Sequence, residues 1–312
     1  MRRTALLAML IAVGGLSITV STVQRQRERP DLPAIKQVQG NLYVIQGGDP
    51  TTPTFSGGNV AVFVTEAHGV VVVDSKLPGY GQQIIDQIRT VTDKPITTML
   101  HSHVHNDHSG STPEFPQPID VITHENIKAI WSQAECEGPV NCGDFKGDGA
   151  RYLPKRTFSE RMSLFEGNDR IELYHFGRGH TNTDTFIVFP SVRVMHSGDL
   201  FAMKRPPFID TNNGGSGLAF PETLGKAVAG ISGVDTIIPG HAAELFTWAD
   251  LEQYAKFLRD FVAMAKEARA AGKTAAQAAN DYVIPAKFER YTRSGPRTVQ
   301  TDIQVIYDEL TQ

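Results

Sequence analysis

Residues 101–110 read His101-Ser102-His103-Val104-His105-Asn106-Asp107-His108-Ser109-Gly110, and this stretch decides the fold. It follows Ile96–Leu100, a short β-branched and apolar run that predicts a strand. From His103 to His108 it fits the pattern H-x-H-x-D-H, which crowds three imidazoles and a carboxylate onto one tight loop. Nitrogen and oxygen donors of this kind suit zinc. Four such donors are more than one tetrahedral ion takes alongside later ligands, so further donors downstream would imply two metals. The alternative register His101-x-His103-x-His105 leaves Asp107 and His108 unused and is disfavoured.

Such donors follow, each where a predicted strand runs into a loop. His180 stands in Gly177-Arg178-Gly179-His180-Thr181, Asp199 in His196-Ser197-Gly198-Asp199-Leu200 and His241 in Ile238-Pro239-Gly240-His241. A glycine precedes each donor and would let the backbone turn sharply, aiming the side chain inward at a sheet edge. Asp74 ends the unbroken run Val70–Val73, which reads as a strand buried on both faces.

Taken in order, H-x-H-x-D-H, G-x-G-H-T, S-G-D-L-F and P-G-H resemble the metallo-β-lactamase superfamily, over about residues 40–245. The resemblance implies an α/β (α+β) fold, a four-layer αββα sandwich of two mixed β-sheets with flanking helices and a dinuclear site at one edge. Matched position by position, it implies that His103, His105 and His180 hold the first metal and that Asp107, His108 and His241 hold the second. Asp199 would bridge them, and Asp74 would orient a ligand imidazole. The expected cofactor is two Zn2+ per chain, with Fe2+ as the alternative. A metal pair brings the pKa of water toward about 7 and so makes hydroxide available at neutral pH. Asp107 would both ligate and act catalytically, orienting the attacking water or accepting its proton. The expected reaction is hydrolysis of a lactam, lactone, ester or thioester in a small molecule.

Departures from particular branches narrow this expectation. Dinuclear β-lactamases usually carry Cys or Ser where this chain has Asp199, whereas a bridging Asp resembles the glyoxalase II and lactonase branches. Residues 200–216 hold Phe201 and Phe208 but none of the tyrosine expected of acyl-homoserine lactonases. Lys204 and Arg205 are the nearby cations that could anchor a substrate carboxylate. His105 stands where flavin-linked diiron relatives have Glu, and the short separation of Asp199 and His241 leaves no room for a nuclease domain. The competing readings are an iron-dependent persulfide dioxygenase, a glyoxalase II-like thioesterase and a binding module without catalysis.

The rest of the chain reads as sheets covered by helices. Strands are predicted at Leu42–Gln46, Asn59–Thr65, Ile171–His175, Thr185–Phe189, Val192–His196 and Thr236–Ile238. Helical spacing marks Gln82–Val91, Glu125–Ser132, Ala219–Ile231, Trp248–Ala271 and a last helix opened by Pro296. The segment GGDPTTPTFSGGN at 47–59 and the loop 200–216 are expected to wall a pocket. His68, His124, His175 and His196 are expected to be structural, as is Asp184 in its turn.

Length and charge bound the whole. The 312 residues allow two domains at roughly 150 residues each, or one large domain with additions. The formal charge of −4 gives no basic excess, so no nucleic-acid partner is expected; the partner is a small-molecule substrate. Residues 1–22, with Arg2-Arg3 before an apolar run, read as a signal peptide or N-terminal anchor. The folded part is then periplasmic or secreted, and bound to membrane only if that segment is uncleaved. A linker is expected over 23–38, a catalytic domain over 39–247 and a C-terminal helical extension packed on that domain over 248–312. Cys136 and Cys142 are too few for a cysteine-rich scaffold but read as a disulfide closing a short loop.

Overall fold

The four valines at 70–73 form strand β4 (Val70–Val73), and each is fully buried. Alternate side chains of a strand point to opposite faces, so β4 needs an apolar layer on both sides. The computed structural model, which describes residues 29–293 and 296–311, supplies both layers. β4 pairs antiparallel with β3 (Val60–Val64) and parallel with β5 (Ile96–Leu100). Outward from these lie β1 (Lys36–Gln39) and β2 (Leu42–Ile45) on one side, and β6 (Asp120–His124) and β7 (Arg156–Phe158) on the other. The result is a seven-stranded mixed sheet in the order β1-β2-β3-β4-β5-β6-β7. A second, six-stranded mixed sheet contains β8 (Arg161–Leu164), β9 (Ile171–Tyr174), β10 (Phe186–Phe189), β11 (Val194–Gly198), β12 (Thr236–Pro239) and β13 (Phe246–Thr247). Its order is β13-β12-β11-β10-β9-β8.

The two sheets pack face to face. Ala61, Phe63, Val71, Val73 and Leu100 of the first meet Leu173, Ile187, Phe189, Val194 and Ile238 of the second. The Phe63 and Phe189 rings lie 5.0 Å apart at the centre of this layer. The outer face of the first sheet is covered by α1 (Gly81–Arg89), through Ile84, Ile85 and Ile88. Beyond the short helical turn α2 (Asn106–Ser109), α3 (Glu125–Trp131) adds Ile127 and Trp131 to the same face. The outer face of the second sheet is covered by α4 (Phe220–Gly230) and α5 (Trp248–Ala270), through Leu224, Leu251, Tyr254 and Leu258. This is the αββα sandwich.

α5 begins with a reciprocal capping box between Thr247 and Asp250 and stops at Gly272, whose φ of +75° suits a helix C-cap. α5 packs directly on the second sheet as part of the outer layer. Only α6 (Ala275–Asp281) and α7 (Pro296–Glu309) extend that layer, packing Ala278, Ile303 and Ile306 against Phe261 and Ala265. The expected linker is also shortened, since residues 36–39 form the edge strand β1 against β2. Lys-Gln-Val-Gln hides that strand because an edge strand can face solvent and be polar. The expected export segment 1–22 lies outside the described residues. No described helix is long and apolar enough to cross a membrane.

Asp302 of α7 is fully buried, and among the described residues neither carboxylate oxygen has a hydrogen bond of good geometry. Burial pushes its carboxyl well above the usual range, and the nearby Ile209 backbone offsets this only in part. The unfolded chain ionises Asp302 above pH 4 while the folded chain keeps it protonated, so this group costs stability increasingly as pH rises. Asp302→Asn is expected to raise the melting temperature by about 3 °C at pH 8 and to lose that gain as pH falls toward 4. Thermal melts of both proteins across that range check it.

Candidate metal centre

The strands bring their C-terminal ends to one edge of the sandwich. Asp74 follows β4, the histidine loop follows β5, His180 lies in the loop after β9, Asp199 follows β11 and His241 follows β12. Open α/β sheets commonly bind ligands at the carboxyl ends of their strands. His105 caps α2 at its N-terminus, and the turn of that helix carries Asp107 and His108.

All seven predicted donors meet here. Three sets have their ligand atoms within 4.8 Å of one another: His103, His105 and His180; His103, Asp107 and His108; and His108, Asp199 and His241. His241 Nε2 is 3.2 Å from Asp199 Oδ2 and 3.4 Å from Asp107 Oδ2. Asp199 lies between the groups, with His180 Nε2 at 3.6 Å on one side and His108 Nε2 at 3.4 Å on the other.

The outer partners of the imidazoles fix what the inner nitrogens present. His108 Nδ1 donates to Asp74 Oδ2 at 2.7 Å. His105 Nε2 donates to Asp210 Oδ2 at 2.8 Å, and His180 Nδ1 to the Phe208 carbonyl at 2.6 Å. Ser102 Oγ donates to Asp74, so it accepts from His103 Nδ1 at 3.1 Å. Each inward nitrogen of these four rings is therefore a lone pair in the neutral imidazole. His105 Nδ1 and His180 Nε2 face each other at 2.9 Å, as do His108 Nε2 and His241 Nε2 at 3.3 Å. His103 Nε2 and Asp199 Oδ1 are buried without a hydrogen-bond partner. Acceptors that converge in this way repel one another unless cations lie between them, and the donor set fits metal ions.

Ionisation follows the same geometry. Burial and the neighbouring imidazoles hold His103 well below the usual histidine range, and His180 is brought down to about 4 by burial and His105. Burial would also lower His108, yet Asp107, Asp199 and Asp74 carry it well above the usual range. Burial opposes ionisation of Asp199, but His241 and His108 hold its carboxyl well below the usual range.

The glycines before the donors serve different purposes. Gly198 has φ +49°, as the expected sharp turn requires. Gly240 does not; a Cβ there would lie 1.9 Å from Asp199 Oδ1. Gly58 is of the same kind, because its Cβ would lie 2.1 Å from the His108 ring. The end of the 47–59 segment is pinned against the site, with Gly58 N donating to the Asp107 carbonyl at 2.9 Å. Buried Lys76 donates to the Gln46 and Gly58 carbonyls, and burial brings its amine down to about 7.

His101 stays outside the cluster, 3.6 Å from Asp74 on one side and bonded to Thr112 on the other. Asp184 bonds the Thr181 backbone and hydroxyl, a turn role. His68 stacks on Phe165, His124 lies tilted against His175, and His196 bonds the Asn59 carbonyl. Lys204 is buried, paired with Asp250 at 2.7 Å and set over the Phe246 ring, so it does not face the site. Arg205 pairs with Asp49 at 3.3 Å.

Asn59 and Asp210 escaped the sequence reading as individual residues, while Phe208 lies in the loop expected to wall a pocket. Asn59 is buried, and its side chain holds the Pro239 and Ala242 carbonyls on either side of His241. The Phe208 ring lies 5.7 Å from His180 and 6.1 Å from His105, beside the opening. Asp210 orients His105 while capping the Asn212 and Asn213 amides. In sequence, Asp210-Thr-Asn-Asn-Gly has only the signal of a turn. Removing a group that orients a metal-ligating histidine typically costs 10–100-fold in affinity, so Asp210→Ala is expected to weaken zinc binding by about that factor. Competition with a chromophoric chelator measures it.

Fold and site together define an αββα protein with a seven-residue histidine and aspartate centre at the sheet edge. Residues 53–241 match the model of the Metallo-beta-lactamase superfamily, and the chain belongs to that superfamily. It is 26% identical over 179 residues to the type 2 metallo-beta-lactamase of Elizabethkingia meningoseptica, covering 55% of this chain and 63% of that protein. It is 25% identical over 167 residues to the 2,4-dinitroanisole O-demethylase subunit alpha of Nocardioides sp. (strain JS1661), covering 52% and 44%. The matches thus span less than two thirds of either relative. Among solved structures, a metallo-beta-lactamase from Pontibacter korlensis superposes with a TM-score of 0.60 at 17% identity, covering 73% of this chain and 99% of that one. The inverting sec-alkylsulfatase Pisa1 from Pseudomonas sp. gives 0.68 at 17%, covering 88% and 50%. At these identities the structural likenesses establish the fold.

Proposed function

We propose that this chain is an exported, dinuclear zinc hydrolase that cleaves an acyl bond in a small molecule: a lactam, lactone, ester or thioester. The observation that carries the reading is the convergence of lone-pair nitrogens from four buried imidazoles on two carboxylates, each ring locked from outside. His103, His105 and His180 would hold one ion, Asp107, His108 and His241 the other, with Asp199 between them. When bound, the ions would bring the pKa of water toward about 7 and stabilise negative charge developing on the substrate oxygen.

The chain's own residues do the rest. Asp107, the most exposed of the candidate ligands, orients the attacking water and accepts its proton as the C–O bond forms. Asp74 and Asp210 keep His108 and His105 in their ligating tautomers. Phe55, whose ring lies 5.6 Å from His241, and Phe208 beside His180 offer apolar contacts at the opening. With Lys204 committed to Asp250, recognition of the substrate rests on these phenyl rings more than on a lysine–carboxylate contact. The disulfide between Cys136 and Cys142 supports an oxidising, extracytoplasmic location.

A hydrolysis screen of zinc-loaded protein tests the reading, with His103→Ala as the blank. Lactams, lactones and thioesters are the expected substrates. Sulfate esters and aryl methyl ethers belong in the screen because relatives bear the names of an alkylsulfatase and an O-demethylase. Turnover of acyl substrates by the wild type alone supports the proposal, and equal rates in the blank overturn it.

A further inference from the structure

The loop closed by the disulfide lies against the back of the centre. Cys136 and Cys142 are joined with their Cα atoms 5.8 Å apart. Between them, two backbone carbonyls turn inward. The Pro139 carbonyl accepts from Asn106 N at 2.8 Å, the first amide of the helical turn that carries Asp107 and His108. The Glu137 carbonyl accepts from Asn213 Nδ2 at 3.2 Å. That same amide nitrogen donates to Asp210 Oδ2 at 2.6 Å, the oxygen that receives His105 Nε2–H. Gly138, between the two carbonyls, has φ +69°, and a Cβ there would lie 3.1 Å from the Asn213 amide and 3.2 Å from Asp210. The loop backbone therefore sits directly on the pair that orients His105.

We propose that the disulfide-closed loop 136–142 is the outer brace of the metal centre, its Glu137 and Pro139 carbonyls positioning the groups that aim His105, Asp107 and His108. The inference rests on the metal-centre reading above and adds a part of the chain to it. Apart from half-buried Cys136, residues 132–139 are exposed, so no apolar packing fixes this stretch. On the far side the loop is anchored, with Cys142 buried and the Phe145 ring stacked on Trp131 at 3.8 Å. The disulfide joins the unanchored end to the anchored one, which restricts the conformations open to the carbonyls. Asn213, Glu137 and Pro139 are positioning residues, since they reach the ions only through Asp210 and α2.

The test compares zinc release from four full-length proteins: wild type, Cys136→Ser/Cys142→Ser, Asn213→Ala and the combined variant. Release to a chromophoric chelator is followed in time, alongside far-UV circular dichroism, melting temperature and starting zinc content. Wild type is expected to hold two zinc ions, and both variants to release zinc about 10-fold faster with unchanged secondary structure. The combined variant is expected to be less than the product of the two, because both act on the Glu137–Asn213 linkage. Asn213→Ala keeps the disulfide, so it tests the same linkage even where the serine variant folds poorly. Two zinc ions released at one common rate by all four proteins would overturn this inference and leave the metal centre standing. Fully multiplicative effects would also overturn it, and no zinc in any protein would overturn both.

Discussion

Asp107→Ala is expected to lower kcat by about 10²–10⁴-fold, the range typical of losing a general acid or base. Its carboxylate lies 3.4 Å from His241 Nε2 and 3.8 Å from His108 Nε2, so it is placed both to ligate and to take a proton. Asp107→Asn separates these roles. The amide keeps a carbonyl oxygen of similar reach but is a far poorer base, so kcat should fall nearly as far while zinc content stays closer to two per chain. The alanine variant should lose zinc as well. Steady-state kinetics with metal analysis of both variants measures the split. Unchanged hydrolysis in either would remove Asp107 from the mechanism.

Gly240→Ala is expected to be nearly as damaging although it deletes nothing. The added methyl would lie 1.9 Å from Asp199 Oδ1 and 2.8 Å from the Gly198 carbonyl, and that backbone cannot move aside without disturbing β11. Asp199 would have to swing away from its place between His180 and His241. Overpacking of this kind costs about 1–3 kcal/mol of stability. The larger consequence is at the site, where displacing Asp199 should lower kcat/KM by about 100-fold and weaken retention of zinc. A melting curve shows the first effect, and kinetics with zinc analysis shows the second. A variant with wild-type kinetics would mean that Asp199 does not need its present position.

The two results bear on what a sequence can disclose. The histidine loop, His180, Asp199 and His241 were legible because ligand chemistry demands particular residue types at ends of strands, and those ends are marked by apolar runs. Most buried strands were legible for the same reason, since valine at 70–73 has little other use, but the interior strand Asp120–His124 was not predicted. Edge strands such as Arg156–Phe158 and Arg161–Leu164 carry polar side chains and give no such pattern. Asn59 read as the start of a strand and Asp210 as a turn residue, and their second role depends on His241 and His105, which come close only in three dimensions. The glycines show the same limit. Gly198 serves a backbone angle that local sequence suggests, whereas Gly58 and Gly240 make room for distant side chains. Likewise Lys204 looked available to a substrate until Asp250 and Phe246, both beyond β12, were seen to enclose it.

Metal analysis of the purified protein, run with oxygen uptake and hydrolysis on the same sample, bears most directly on the proposal of a dinuclear zinc hydrolase. Two zinc ions per chain, acyl hydrolysis without oxygen uptake, and loss of both metal and activity in His103→Ala are the expected result. One iron per chain, with oxygen consumed and no hydrolysis, would contradict it.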